Sequence, residues 1–180
     1  MGASVINDFS KALISLAEQK QNVAAIQRAA EELLPLLKHP EVRQFLNHPT
    51  VKAVDKKVFL SKIIPTEAPQ EFINFVHLIT DRRYTPLLPD ILDRTIDLAV
   101  KVQGSEVVTI ITAREISPEE ENSIRMDLEK RWSTRIFLKK RHNPNLIGGI
   151  IIQREDELFD GSVLGQIKSL RRKLTEKSVI

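Results

Sequence analysis

Apolar residues recur every three or four positions through the first hundred residues of the chain. In the first segment they have the spacing of a helix with one buried face: Val5, Phe9, Ala12, Leu13, Leu16 and Ala17. Five further segments repeat this period, and residues typical of helix ends separate them: Asn22, Pro40, Thr50, Pro86 and Gly104. The pattern predicts an N-terminal six-helix bundle with short connections over residues 1–104.

The fourth and fifth helical segments carry more specific expectations. The fourth helix should begin after a Thr50 cap and turn Val54 and Val58 inward. The fifth helix, from about Pro69 to Arg82, has apolar residues on most of its sides: Phe72, Ile73, Phe75, Val76, Leu78 and Ile79. Such a helix lies at the centre of a bundle, or it lines a groove that a partner fills.

Beyond Gly104 the hydrophobic period changes from that of helices to that of strands. Residues 107–112 are rich in β-branched side chains and predict a strand. Ser117 is expected to cap a helix that runs to about Trp132, and residues 135–141 predict a second strand. Residues 105–180 are therefore predicted to form a small mixed α/β domain.

The stretch from residue 144 to residue 174 is the most specific part of the sequence. Residues 146–152 predict a strand, inside which the paired Gly148 and Gly149 mark a bulge or a close backbone approach. A charged turn at residues 154–157 and a short strand complete a β-hairpin that leads into Asp160 and Gly161. Gly161 is interpreted as the start of a basic amphipathic helix that ends the chain.

Composition narrows the function classes. The chain has 180 residues and no cysteine, which excludes disulfides, thiolate nucleophiles and Cys-ligated zinc. Its longest apolar run, residues 146–152, is far shorter than the ~20 residues that span a bilayer. The 27 basic and 24 acidic residues leave a net charge of only +3, which is weak support for nucleic-acid binding.

The sequence offers no convincing catalytic or metal-binding set. Its four histidines show no metal-ligand spacing. The acidic residues near 155–160 lack the alternating ligands and central glycine of a calcium loop. Gly161 and Gly165 are not followed by the Lys-Ser/Thr of a phosphate-binding loop. We therefore predict no catalytic residue, no metal and no cofactor, although a triad set by tertiary geometry stays possible in principle.

Several short segments resemble those of one family along the whole chain. They are Phe9–Leu13, Phe45–Pro49, Asn74–Leu88, Leu146–Gly149 and Asp160–Ser162. Together they make the chain similar to the delta subunit of F-type ATP synthases, the family that includes the oligomycin-sensitivity-conferring protein. The chain departs from the family pattern at Ser10, where alanine is usual, and at Asn143, where aspartate is usual.

The resemblance implies a non-catalytic stator. In that family the subunit belongs to the peripheral stalk, links the alpha/beta catalytic head to the b subunits and so couples proton transport to ATP synthesis. The helical half, residues 1–104, would hold the N-terminal helix of an alpha subunit between its first and fifth helices. Residues 105–180 would engage the C-terminal helices of the b subunits. The resemblance implies no nucleic-acid partner and, for a bacterial source, peripheral association with the cytoplasmic face of the cell membrane.

The resemblance also assigns residues. The partner-binding positions would be Phe9, Ala12, Leu13, Asn74 and Leu78, and the structural positions would be Gly148, Gly149, Asp160 and Gly161. Asn74 and Leu78 are four residues apart on one helix face, and the small Ala12 leaves room for a docking helix.

Two alternatives for the whole chain and one for these residues remain open. The partner-binding positions could instead be ordinary core positions. A generic helical adaptor would need no Leu-Ile-Gly-Gly hairpin. A basic nucleic-acid-binding module, built on the runs at residues 139–141 and 168–173, would bind with a steep salt dependence.

Overall fold

The structure, a computed structural model, describes residues 2–167. The chain divides between Gln103 and Gly104 into two compact units, which we call the helical unit and the α/β unit. Most of the predicted basic C-terminal helix lies outside the described residues. Residues 163–167 are helical, so its first turn can be described.

The helical unit contains six α-helices. They are α1 (Gly2–Gln19), α2 (Val23–Lys38), α3 (Pro40–Asn47), α4 (Ala53–Ile63), α5 (Gln70–Asp81) and α6 (Leu88–Val102). A 3-10 helix, Thr85–Leu87, precedes α6, and Gly104, with φ +73°, follows its end. The predicted helical first part of the chain is confirmed, and α2 continues through Pro35 without a break.

The core of this unit lies where α1, α2, α5 and α6 meet. Helices α1 and α2 both pack on α6, and α5 packs on α1. Ser10 is fully buried there, and its hydroxyl lies 2.8 Å from the Ile6 carbonyl and 2.9 Å from the Ile91 carbonyl of α6. The hydroxyl can donate to either, so this buried polar group is satisfied. Ser10, at which the chain departs from the family pattern, therefore faces the core and not a partner.

The six-helix bundle expected from the sequence needs correction. Across residues 2–160 there are eight helical elements, because α7 of the second unit and the 3-10 helix add to α1–α6. Within the helical unit, α3 and α4 are short and bury one residue each, Leu46 and Leu60. These two helices border the core, whereas the longer helices form it.

The prediction for the fourth helix was wrong in its start and in its buried face. Helix α4 begins at Ala53, and the Thr50 hydroxyl bonds the His48 ring at 2.8 Å instead of capping the helix. Val54 and Val58 are 69% and 53% exposed. Leu60 takes the inward position, because α4 contacts the rest of the unit mainly through α5 and presents a narrow face to it.

The expected Asn22 cap of α2 is also absent. Asn22 occupies the N-cap position, but its side chain makes no capping hydrogen bond. Its Nδ2 instead donates to Glu71 Oε2 of α5 at 3.4 Å. This tertiary contact holds the side chain away from the capping position, and Asn22 Oδ1, the oxygen that a cap would use, has no partner among the described residues.

The α/β unit forms a four-stranded mixed sheet. Its elements are β1 (Ser105–Thr112), α7 (Pro118–Trp132), β2 (Arg135–His142), β3 (Ile150–Arg154) and β4 (Glu157–Asp160). The strand order is β2-β1-β3-β4, with β1 and β2 parallel and the other pairs antiparallel. Helix α7 makes the crossover between the parallel strands, and its side chains cover the core built on Val108, Ile110, Leu128, Ile136 and Leu138. The predicted small mixed α/β part with a β-hairpin is confirmed.

Ser117 caps α7 as the sequence predicted, and the structure adds a capping box with Glu120. The Ser117 hydroxyl accepts from the Glu120 amide at 3.2 Å, and the Ser117 amide donates to Glu120 Oε2 at 2.9 Å. Arg114 binds the same carboxylate through two hydrogen bonds. The Arg114 side chain, followed by the Ser117 amide, lowers the pKa of Glu120 to about 2.

Acid should therefore weaken this helix start. Because the folded pKa of Glu120 lies below its ordinary value of 4.5, its contribution is complete above that value and is lost as the pH falls towards about 2. We expect Glu120→Gln to flatten the fall in thermal midpoint between about pH 5 and pH 2. The fluorescence of Trp132, the one tryptophan, reports on this unit alone. Glu119→Gln is the control, and an equal flattening there would contradict the assignment.

Candidate functional site

Helices α1 and α5 lie side by side and antiparallel. Asn22, after the end of α1, contacts Glu71 in the first turn of α5. Nearer the start of α1, the Phe9 ring meets Phe75 edge-on, with centroids 6.3 Å apart, and meets Tyr84 at 5.8 Å. This arrangement brings together the two helices that the predicted partner-binding residues occupy.

Four of the five predicted partner-binding residues keep some exposure on these helices. Phe9 is half-buried, Ala12 and Asn74 are exposed, and Leu78 is 44% exposed. Asn74 Oδ1 accepts from Gln70 Nε2 at 3.0 Å, which leaves its own amide hydrogens available to a partner.

Leu13 differs from the other four. Its side chain is 1% exposed and belongs to the core of the helical unit. It can support a binding surface from beneath, but it is not itself on that surface. The helical period placed Leu13 beside Ala12 and could not say which of the two neighbours faces inward.

Two exposed apolar residues extend the surface beyond the sequence prediction. Leu16 is 37% exposed and lies seven residues after Phe9 on the same face of α1. Tyr84, also 37% exposed, adjoins the same surface because its ring packs against that of Phe9. The spacing from Phe9 could have identified Leu16, whereas no sequence signal marks Tyr84. We define the α1–α5 surface as Phe9, Ala12, Leu16, Asn74, Leu78 and Tyr84.

The apolar excess of α5 is now accounted for. Of its six apolar residues, Leu78 is left at the α1–α5 surface, Ile73 is half-buried, and the other four are buried in the core: Phe72, Phe75, Val76 and Ile79. The surface thus combines apolar side chains, one small residue and one amide. This is the composition of a face that an amphipathic helix covers with its apolar side.

The predicted structural residues lie together in the α/β unit, but not as expected. Gly148 and Gly149 precede β3, which begins at Ile150, so the prediction that they lie inside a strand was wrong. Gly149 has φ +81°, a left-handed conformation outside the strand region. The expected close backbone approach is present, since a Cβ on Gly149 would stand 2.9 Å from Ser162 Cα and closer still to the Gly161 carbonyl.

Backbone hydrogen bonds join this segment to the one that contains Asp160 and Gly161. The Gly161 amide donates to the Ile150 carbonyl at 3.0 Å, and the Val163 amide donates to the Gly148 carbonyl at 3.0 Å. We call residues 148–150 and 160–163, joined in this way, the glycine latch. It fixes the end of the β-hairpin against the entry to β3.

Within the glycine latch, Asp160 and Ser162 start the next helical turn. Asp160 Oδ1 accepts from the Ser162 amide at 2.9 Å, and the buried Ser162 hydroxyl accepts from the Gly165 amide at 3.0 Å. Ser162 is therefore the N-cap that sequence reasoning missed, although a serine before an apolar helical run is a known start signal. Gly161 precedes the helix instead of beginning it.

The α/β unit also leaves several apolar side chains exposed around the glycine latch and the hairpin. Their exposed fractions are 71% for Ile147, 60% for Leu158, 41% for Phe159, 40% for Val163 and 52% for Ile167. Within residues 2–167, no helix combines the length and the hydropathy needed to cross a bilayer.

Comparisons with known proteins agree with the geometry. The ATP synthase delta (OSCP) subunit family matches residues 5–174. The chain is 30% identical over 172 residues to the ATP synthase subunit delta of Heliobacterium modesticaldum, with 95% of this chain and 93% of that protein covered. It is 28% identical to the subunit of the same name from Carboxydothermus hydrogenoformans, with 95% and 97% covered.

A solved structure has the same fold. One chain of the Toxoplasma gondii mitochondrial ATP synthase hexamer aligns with a TM-score of 0.70 over 94% of this chain and 97% of its own length. The sequence identity is 19%, so this likeness supports the fold alone. The match over most of the sequence, together with the relatives, shows that the chain belongs to the ATP synthase delta (OSCP) subunit family, the non-catalytic peripheral-stalk subunits of F-type ATP synthases.

Proposed function

We propose that this chain joins the catalytic head of its ATP synthase to the b subunits, with one unit for each partner. The helical unit binds the N-terminal helix of an alpha subunit at the α1–α5 surface. The α/β unit binds the C-terminal helices of the b subunits. The chain thereby holds the head against rotation, so that proton transport is coupled to ATP synthesis.

The α1–α5 surface carries the first half of this proposal. Leu78 at 44%, Leu16 at 37% and Tyr84 at 37% each leave more than a third of their surface uncovered by the unit. Covering apolar area of this kind contributes about 25 cal/mol per Å² of buried surface. An amphipathic helix can cover the strip with its own apolar face, while the amide of Asn74 fixes its register.

Exposed apolar side chains on the α/β unit support the second half. Ile147 and Leu158 are exposed by more than half, next to segments that the glycine latch holds in place. A helical partner needs such a preformed surface, because ordering the surface on binding would reduce the affinity. In the delta subunit family, the corresponding half binds the C-terminal helices of the b subunits, which are partners of this helical kind.

The site of action follows from the complex. The subunit associates with the membrane peripherally, through the ATP synthase, and in a bacterial cell it lies on the cytoplasmic face. The proposal includes no nucleic-acid partner, and the near balance of 27 basic and 24 acidic residues gives little support for one.

Reconstitution tests the division of labour. The purified full chain is titrated with a synthetic peptide of the alpha N-terminal segment and with the C-terminal half of a b subunit from the same source. We expect both to bind at once, each with one site per chain. We also expect membranes stripped of the head to regain coupling when the head is added back together with this chain, and not when the head is added back alone. Competition between the two partners, or recoupling without the chain, would contradict the proposal.

A further inference from the structure

A concave site lies in the helical unit, apart from the α1–α5 surface. Two segments line it: one runs from the end of α3 into α4, and the other runs from the end of α5 to the 3-10 helix before α6. Its volume is about 580 Å³, within the range of ~300–1,000 Å³ that small-molecule sites occupy. Leu46, Pro49, Val51 and Pro86 form its apolar wall. It shares no lining residue with the α1–α5 surface.

The charge of this cavity has one sign. Three basic residues, Lys52, Lys56 and Arg83, line it, and no acidic residue does. Within residues 2–167, none of the three forms an ion pair with a carboxylate. Asp81, close in sequence to Arg83, is already neutralised by Lys57 at 2.5 Å. Positive charge therefore accumulates around an open volume.

One threonine in the cavity lining has a side-chain hydroxyl that is not used by the helical unit itself. Thr85 is 4% exposed and lines the cavity, yet its hydroxyl makes no hydrogen bond with any described residue. Thr80, also buried and also in the lining, donates instead to the Val76 carbonyl at 2.9 Å. The Thr85 oxygen is not fully enclosed by the protein, so its hydroxyl can donate a hydrogen bond to a group that enters the cavity.

The start of α4 adds backbone donors to the same place. Lys52, Ala53 and Lys56 all line the cavity, and Lys52 holds the N-cap position without a side-chain capping bond. The first amides of this eleven-residue helix are thus not satisfied by a cap. Amides at a helix start favour an anion, and lysines one turn apart reinforce that preference.

We propose that this cavity binds a small anion through a phosphate group. Lys52, Lys56 and Arg83 supply the charge, and the Thr85 hydroxyl donates a hydrogen bond. Several donors around one open volume match a compact group with three or four oxygens better than they match the two oxygens of a carboxylate. Free phosphates and nucleoside polyphosphates share this group. Among residues 2–167, no aromatic side chain lines the cavity, so recognition rests on the phosphate and not on a stacked base.

The test measures binding of inorganic phosphate, pyrophosphate and ATP to the full chain by amide chemical-shift titration. We expect saturable shifts at residues 53–55 and at Thr85. Lys56→Gln should weaken pyrophosphate binding about tenfold, as loss of a charged hydrogen bond predicts. Thr85→Val should weaken it about fivefold without loss of thermal stability, because it removes a hydroxyl that no described residue bonds. Lys62→Gln, which removes the same charge from the far end of α4, should leave the affinity unchanged.

Each result decides the proposal. Equal affinities for pyrophosphate and ATP would assign recognition to the phosphates alone, and tighter ATP binding would add a contact of its organic body with the apolar wall. Both support the site. The proposal fails if no probe gives saturable shifts, if Lys62→Gln weakens binding as much as Lys56→Gln does, or if a glutamate-rich peptide binds and pyrophosphate does not.

Discussion

Replacing Ala12 with aspartate is expected to abolish binding of the alpha N-terminal helix while the chain stays folded. Ala12 is exposed on α1 beside the half-buried Phe9, so a docking helix would cover it. The new carboxylate would lose its water without gaining a partner, at a cost of several kcal/mol, or more than about a hundredfold in Kd. Within α1 itself the change costs no more than about 0.7 kcal/mol in helix propensity.

Calorimetry with a synthetic alpha peptide measures this effect. Tyr84, the one tyrosine, stands 5.8 Å from Phe9 and should change its fluorescence when the peptide binds. Ala24→Asp is the control, because Ala24 is also an exposed alanine, on α2 and outside the α1–α5 surface. Unchanged peptide affinity in Ala12→Asp would reject the surface, and an equal loss in Ala24→Asp would show a general charge effect.

The second large effect is expected from Gly149→Ala, which should destabilise the α/β unit by about 2–4 kcal/mol. The added Cβ would lie 2.9 Å from Ser162 Cα, and both contacting groups are backbone that cannot rotate away. The alanine would also have to hold φ +81°, which side chains other than glycine's rarely adopt. The glycine latch would have to open to accept it.

Gly148→Ala provides the comparison for this change. A Cβ on Gly148 would meet only the Val163 side chain, at 3.4 Å, which is ordinary contact, so the stability should change little. Denaturant unfolding followed by Trp132 fluorescence measures both variants. In reconstituted vesicles, Gly149→Asp should uncouple proton flow from synthesis, while ATP hydrolysis by the detached head is unaffected. Equal stabilities of the two alanine variants would contradict the latch, and lost hydrolysis would contradict a non-catalytic role.

Local signals in the sequence were sufficient where a few neighbouring residues decide the structure. Ser117 and Glu120 form their capping box within one turn, and α7 runs to Trp132 as expected. The β-branched residues 107–112 form β1 as expected, and its buried positions include Val108 and Ile110. The family segments at residues 9–13, 146–149 and 160–162 were equally readable, because a short motif carries its identity in its residue types and spacing.

The sequence by itself determined the helical first part, the small mixed α/β second part and the family. Only the tertiary structure decided which side of each element faces inward: Leu13 and not Ala12, Leu60 and not Val54 or Val58. Helical spacing fixes which residues share a face, but the neighbouring elements determine which face they cover. The glycine latch and the cavity with Thr85 depend in the same way on segments that are distant in the chain. Their physical cause is close packing between those segments, which leaves no periodic trace in the sequence.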